Sequence, residues 1–361
     1  MDAMLLESPA PVETGALKPA ETGPLRPADT GPLRPADTGP LRPAEVDDPV
    51  IAPDEVLVEV SVCGVCRTDL HIVEADIDVP TLPLVPGHQI VGRVKEAGTA
   101  VTRLRLGDRV GISWVNRMCG QCGPCVQGRE NLCSAPVFTG YHRHGGYATL
   151  AAVPAAFAHP IPEQLGDDAH VAPLLCAGII GYRALKQSGL RPGSPLALYG
   201  FGASAHIALQ IAVAWGCEVF VASRTEDALI RARAMGASWT GQAGDVPEEC
   251  VDHAISFAPA GWLIPGAMEA LRPGGTLALA GIYTDRVPEL DYDRHLFREK
   301  SIVSVTANTR SDAAELLNLA ARIPLRTDIE TYPLTEANTA LANLKSNRLG
   351  AQAAVLTVAA G

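Results

Sequence analysis

No run of about 20 apolar residues occurs in the chain, so no membrane-spanning helix is expected. The opening MDAMLLESPAPVETG has no basic residues ahead of an apolar core. No export leader is therefore expected, and the reading is a cytoplasmic protein. Positive charge is also short. Against 40 Asp and Glu there are 29 Lys and Arg, and the net charge of −11 argues against a nucleic-acid surface. Apolar residues are plentiful, at 47% of 361, which allows one or two domains with an ample core. Nine cysteines without a leader read as metal ligands before disulfides.

Near the start, a short strand is expected over Ala3–Glu7. Four octapeptides follow: ETGALKPA (13–20), ETGPLRPA (21–28), DTGPLRPA (29–36) and DTGPLRPA (37–44). A period of eight is too short for a helical solenoid, and Pro and Gly disfavour helix or central strand. The block is expected to be a solvated, partly extended, flexible loop inserted between two early strands.

Residues 50–155 are rich in short strand patterns and turn signals, which predicts a small antiparallel, barrel-like domain. From about 165 to 305 strands and helices alternate. Leu196–Tyr199 reads as a buried strand running into Gly200-Phe201-Gly202-Ala203-Ser204-Ala205, a G-x-G-x-x-A turn that opens an apolar helix. Gly200 permits the tight turn, Gly202 lets backbone approach a pyrophosphate, and the helix N-terminus faces the phosphates. After the next strand come Ser223-Arg224-Thr225, where NAD users usually carry Asp or Glu. A hydroxyl and a guanidinium suit a 2′-phosphate, which favours NADP(H) over NAD(H); the bland alternative is a solvated helix-start arginine. Ser311 is expected to cap a helix over Asp312–Arg322. The whole predicts an α/β chain: a doubly wound Rossmann domain over 161–306, a β-rich domain over 1–160 that carries the 13–44 insertion, and a return of 307–361 to it.

Two cysteine patterns carry chemistry. Cys66-Arg67-Thr68-Asp69-Leu70-His71 sits just after a strand-like run, and His88 follows the turn Pro86-Gly87. With Cys176, from a third segment, Cys66 and His88 make a candidate open zinc site: three protein ligands and a fourth place for water or substrate. A redox pair or two buried small hydrophobes are the alternatives for Cys63 and Cys66. Cys119-x2-Cys122-x2-Cys125-x7-Cys133 can close tetrahedrally on a structural zinc. An iron–sulfur cluster is the alternative there, but the fourth cysteine lacks the usual following proline.

Together CGVCRTDLH, PGHQIVG, GDRV, the four-cysteine lobe, Cys176 and GFGASAH resemble the zinc-dependent alcohol dehydrogenases of the medium-chain dehydrogenase/reductase family, bacterial type. The resemblance covers nearly the whole chain outside the octapeptides. It implies a GroES-like catalytic domain beside the Rossmann domain. It also implies two zinc ions per chain, one catalytic on Cys66, His88 and Cys176 and one structural on Cys119, Cys122, Cys125 and Cys133. Thr68 corresponds to the hydroxyl that hydrogen-bonds the zinc-bound alkoxide, and His71 to the group that passes the proton out through the cofactor ribose. Asp69 would orient His88, and Trp114 and Val115 would line the substrate pocket. The implied substrate is a primary or secondary alcohol, or its aldehyde or ketone, handled by a homo-oligomer, tetramer or dimer. A polyol or amino-alcohol dehydrogenase and a catalytically silent nucleotide-binding relative are the competing readings.

Three positions depart from the family pattern. Gln89 stands where a glutamate usually follows the zinc histidine. Gly350-Ala351-Gln352-Ala353 lacks the usual arginine on the pyrophosphate, with Arg348 nearby. Ile180 stands where a hydroxyl is common. Cys63, Cys217 and Cys250 match no ligand position, and core packing is expected of them.

Overall fold

The computed structural model describes residues 1–14, 39–282, 284–349 and 351–358. The chain forms two compact units. The first comprises Met1–Arg117, Val137–Ala158 and Asp328–Gly361; the second comprises Met118–Pro136 and His159–Thr327.

The second unit is built on a parallel sheet of six strands. Their order is Trp239–Gly241, Val219–Ala222, Leu196–Tyr199, Val251–Ser256, Leu271–Leu279 and Ser301–Ser304. Strand order reverses beside Leu196–Tyr199, the switch point where doubly wound sheets take their ligands. All four residues of that strand are buried, as expected of a central parallel strand covered on both faces. Leu198, Ile207, Leu209, Ile211, Val219, Val221 and Ile255 form the core on one face of the sheet, and Tyr199, Ile264, Met268 and Leu277 on the other.

In the first unit the long strand Glu55–Val65 is central. It pairs antiparallel with Gln89–Ala97, Leu150–Pro154 and Ala353–Thr357, while Ile329–Pro333 runs parallel to Ala353–Thr357. Arg109–Ile112 pairs with the far edge of Gln89–Ala97. Two register shifts, at Leu57/Val58 and at Val60/Val62, bend the long strand.

Several expectations are corrected. The return to the first unit comes at Asp328 rather than 307, and the cysteine lobe belongs with the second unit. Both follow from the helix Arg310–Ala320. Arg310 grips Glu130 of the lobe, and Asp312 bonds Arg183 at 2.6 Å and Lys186 at 3.0 Å on the helix Ala177–Gln187. The helix Arg310–Ala320 is capped by Thr309, not Ser311. Thr309 Oγ1 accepts from the Asp312 N–H, and the Asp312 carboxylate accepts from the Thr309 N–H, a reciprocal box that Ser311 has no partner to make. Residues Gly145–Thr149 precede the strand, which begins at Leu150. Of the octapeptides, residues 15–38 lie outside the described residues. The last unit is not a loop: Leu41–Glu45 is a strand paired antiparallel with Asp2–Leu6. It lies on an edge, where Pro43 withholds no needed donor.

Candidate functional site

The first cluster grows from a helix start. The strand Glu55–Val65 ends, Cys66 takes extended backbone angles as N-cap, and Arg67–Val73 is helical. Asp69 stands three residues into the turn, and its Oδ2 accepts from the Cys66 N–H at 2.8 Å. Asp69 is fully buried. Its Oδ1 lies 3.0 Å from His88 Nδ1, and its Oδ2 accepts from the Tyr147 hydroxyl at 3.2 Å. A buried carboxylate is tolerable only with such donors around it.

His88 is oriented by the same contact. With Nδ1 turned to Asp69, Nε2 is the nitrogen that would ligate a metal. Burial alone would lower the imidazolium pKa. The Asp69 carboxylate reverses that and carries it from 6.5 up to about 10, with a smaller push from Cys66. A metal ion held by Nε2 takes the place of that proton.

The turn before His88 needs glycine. Gly87 has φ 95°, and a Cβ there would lie 2.3 Å from the Tyr147 ring and 2.8 Å from Cys63 Sγ. Gly145 comes as close from the other side, since its Cβ would lie 2.0 Å from the Gly87 carbonyl oxygen. Amides of Gly145, Gly146 and Tyr147 donate to the carbonyls of Val85, Gly87 and Pro86 at 2.7–3.0 Å. This zipper seats Tyr147 under Asp69. Cys63 is fully buried among these groups, in line with core packing.

Cys176 follows the buried 3-10 turn Ala172–Leu175 and caps the helix Ala177–Gln187. The ligand atoms of Cys66 and His88, both in the first unit, lie within 4.8 Å of each other. Bond lengths of about 2.3 Å to sulfur and about 2.0–2.1 Å to nitrogen let one tetrahedral zinc reach two atoms so spaced, with places left for a third ligand and for water or substrate. Thr68 Oγ1 lies 3.7 Å from Cys66 Sγ. His71 Nδ1 lies 2.7 Å from Asp76 Oδ2. Trp114 packs edge-on against the His88 ring at 5.1 Å and stacks on Phe138 at 4.7 Å, with Tyr141 at 5.8 Å. Val115, paired with Trp114 in the sequence reading, has its side chain in the core. Gln89 is buried, its side chain lying over Gly64.

The second cluster is local. Ligand atoms of Cys119, Cys122, Cys125 and Cys133 also lie within 4.8 Å of one another. Cys122 caps the short helix Gly123–Val126, with Pro124 in its first turn. Backbone amides point at the sulfurs: Cys119 N–H at 3.3 Å and Ala135 N–H at 3.4 Å from Cys133 Sγ, and Cys122 N–H at 3.4 Å from Cys119 Sγ. Amide donors from Cys125 and Ser134 hold the Cys122 thiol down to about 6. Burial raises Cys133, but the amides of Cys119 and Ala135 outweigh it and lower its pKa. Cys122 and Cys133 are thus held toward the thiolate form that zinc requires, whereas burial pushes the Cys125 thiol up to about 12.

The nucleotide turn lies in the second unit. Gly200, at φ 89°, donates its N–H to the Ala222 carbonyl at 2.8 Å. Gly202 is the N-cap of the helix Ala203–Ala214, and a Cβ there would meet no atom within 4 Å. That open space over a helix N-terminus fits a pyrophosphate. Phe201 turns its side chain into the core, so only its backbone faces the turn. The strand Val219–Ala222 delivers Ser223 and Arg224. Arg224 is exposed and has no ion pair among the described residues.

Sequence reasoning missed Tyr147 and the edge-on packing of Trp114 against His88. The only signal was an aromatic directly after Gly145-Gly146.

Residues 52–163 match the alcohol dehydrogenase GroES-like domain, and residues 205–322 match the zinc-binding dehydrogenase domain. The chain belongs to the zinc-type medium-chain alcohol dehydrogenase family. A probable alcohol dehydrogenase AdhA of Mycobacterium tuberculosis (strain CDC 1551 / Oshkosh) is 47% identical over 313 residues, covering 85% of this chain and 90% of that one. An alcohol dehydrogenase of Geobacillus stearothermophilus is 38% identical, covering 84% and 92%. Among solved structures, a putative zinc-binding dehydrogenase of Sinorhizobium meliloti 1021 bound to NADP aligns with TM-score 0.79 at 28% identity, covering 99% of this chain and 98% of that one.

Proposed function

We propose that the chain interconverts a primary or secondary alcohol with its aldehyde or ketone, using zinc on Cys66, His88 and Cys176 and NADP(H) in preference to NAD(H). The observation that carries this reading is the pair Cys66 and His88, whose ligand atoms lie within 4.8 Å of each other, with the other His88 nitrogen held by a buried carboxylate. When bound, zinc acidifies the substrate hydroxyl and the nicotinamide accepts the hydride.

The protein supplies position and proton handling. Asp69 keeps the His88 ring turned so that Nε2 faces the metal, and Tyr147 and the Cys66 amide keep Asp69 in place. Thr68 offers its hydroxyl beside Cys66 to the substrate oxygen. His71 takes the departing proton at Nε2, and Asp76 at Nδ1 stabilises the resulting imidazolium. The Trp114–Phe138–Tyr141 face supplies an apolar wall beside His88 and keeps water from it.

A second zinc on the four cysteines organises the lobe. Backbone amides at Gly202 and Ala203, with Ser204, receive the pyrophosphate. Ser223 and the unpaired Arg224 receive the 2′-phosphate, a role supported by the NADP-bound relative. The resemblance to compact bacterial enzymes supports a cytoplasmic homo-oligomer, tetramer or dimer, which light scattering on the purified chain reads directly. No helix among the described residues is long and apolar enough to cross a membrane.

The test is an initial-rate panel of alcohols and aldehydes with NADPH and NADH in parallel. Turnover is expected with at least one simple alcohol. Arg224→Ala should raise KM for NADPH by roughly tenfold, the size of one lost charge-assisted contact, while NADH changes little. Equal losses with both cofactors would remove the 2′-phosphate assignment.

A further inference from the structure

The first unit has a cavity that the chemistry above leaves unused. Its volume is about 520 Å³, a size at which small-molecule sites are found. Val50, Ile51, Ala52 and Val137 give it apolar walls, and Glu55, Arg117 and Arg143 give it charge. All seven belong to the first unit.

A two-stranded ribbon separates this cavity from the aromatic wall beside His88. Val115–Arg117 pairs antiparallel with Val137–Phe138, with Arg117 opposite Val137 and Val115 opposite Phe138. Successive side chains on a strand point to opposite faces, so Val137 and Phe138 face opposite sides of the ribbon. The cavity lies on the Val137 side, and Phe138 stacks on Trp114 on the other.

The charges in the cavity do not balance. Glu55 is buried; its Oε2 accepts from the Ala52 N–H at 3.0 Å and its Oε1 from Arg117 Nη2 at 3.2 Å. Arg117 also holds Asp54, through Nη1 at 2.9 Å and Nη2 at 3.3 Å. Those contacts already satisfy Glu55 and occupy Arg117. Arg143 is the surplus cation. It gives Glu55 Oε1 one contact, from Nη2 at 3.1 Å, while its Nε and Nη1 have no partner among the described residues. Its side chain is 52% exposed, yet its backbone is fixed. The Arg143 carbonyl accepts from the Gly140 N–H at 2.8 Å, and its N–H donates to the Phe138 carbonyl at 3.3 Å. Two guanidiniums thus face one carboxylate across the lining, which leaves one positive charge over.

We propose that this cavity binds a short-chain monocarboxylate, with the carboxylate on Arg143 and the alkyl chain against Val50, Ile51, Ala52 and Val137. Charge-assisted bonds from a guanidinium to a carboxylate are the strong kind, and a single negative charge matches the surplus. A neutral amide would leave that surplus in place. Val50 is 92% exposed, an apolar side chain that the ligand's chain covers. The site is separate from the metal ligands and from the nucleotide turn.

The experiment is titration calorimetry of sodium butyrate into the full, zinc-loaded chain. One site per chain is expected, with a Kd on the order of 1 mM for so small a ligand. Butyramide, the uncharged analogue, should bind about tenfold more weakly, and Arg143→Gln should weaken butyrate by about the same factor. Val50→Asp, which sets a like charge at an exposed position, should also weaken it, with melting close to wild type. Cys66→Ser should leave butyrate affinity unchanged. The proposal is overturned if wild type gives no saturable heat well above that Kd, or if Arg143→Gln and Val50→Asp both bind butyrate as wild type does. Loss of binding in Cys66→Ser would put the carboxylate on the metal and equally overturn it.

Discussion

The four-cysteine lobe takes all its ligands from residues 119–133, whereas the proposed three-ligand group draws on positions 66, 88 and 176. The lobe steadies its sulfurs with backbone amides. The three-ligand group instead spends a buried carboxylate, Asp69, on aiming one imidazole. The lobe's ligand set is complete in itself and has no group poised to handle a proton. The proposed three-ligand set would leave a coordination position open and has Thr68 and His71 on the helix that follows Cys66. On the proposed reading, one cluster holds a loop together and the other exchanges ligands at its metal.

Mutations should separate the two. Cys122→Ser should cost the lobe its metal and lower the melting temperature by several degrees, at roughly 2–4 °C per kcal/mol in units of this size. Turnover per folded molecule should stay close to wild type, as calorimetry beside active-site-normalised rates would show. Asp69→Asn should weaken zinc at the three-ligand group by about 10–100-fold and leave the lobe unchanged. Competition with a chromogenic chelator reads both sites, and a uniform loss would contradict the division. Tyr147→Phe removes a single hydrogen bond to the same carboxylate and should have a smaller effect in the same assay.

The smallest effect concerns what ties the lobe to its unit. Glu130 accepts from Arg310 through Nε at 3.0 Å and Nη2 at 2.6 Å, and Asp312 on the same helix holds Arg183 and Lys186. Burial would raise the Asp312 pKa, but the Thr309 amide, Lys186 and Arg183 outweigh it and hold it below 3.8. A depressed carboxyl stabilises the fold above its unfolded pKa, and that contribution is lost as pH falls through the folded value. Melting temperature should therefore drop as pH falls below about 3.8, and Asp312→Asn should make that acid limb shallower. An unchanged slope would mean Asp312 is not a linked group.

The lobe was legible because its ligands share one loop and spacing alone names them. The nucleotide turn was legible for the same reason: strand, glycines and helix are consecutive, and Leu196–Tyr199 falls where the pattern put it. What long-range packing decides was not legible. Tyr147 reaches Asp69 only because Gly87 and Gly145 let two turns interpenetrate. The lobe sides with the second unit through Glu130 and Arg310, 180 residues apart. Leu41–Glu45 becomes a strand despite Pro43 because it lies on an edge and Asn338 receives its entry. Composition described the repeats correctly as poor in regular structure and could not see the partner waiting for one of them.

Zinc content and turnover measured together on Cys66→Ser test the central assignment most directly. One zinc per chain in place of two is expected, with turnover at background and an unchanged melting temperature. Two zinc ions, or undiminished turnover, would contradict a catalytic ion held by Cys66, His88 and Cys176.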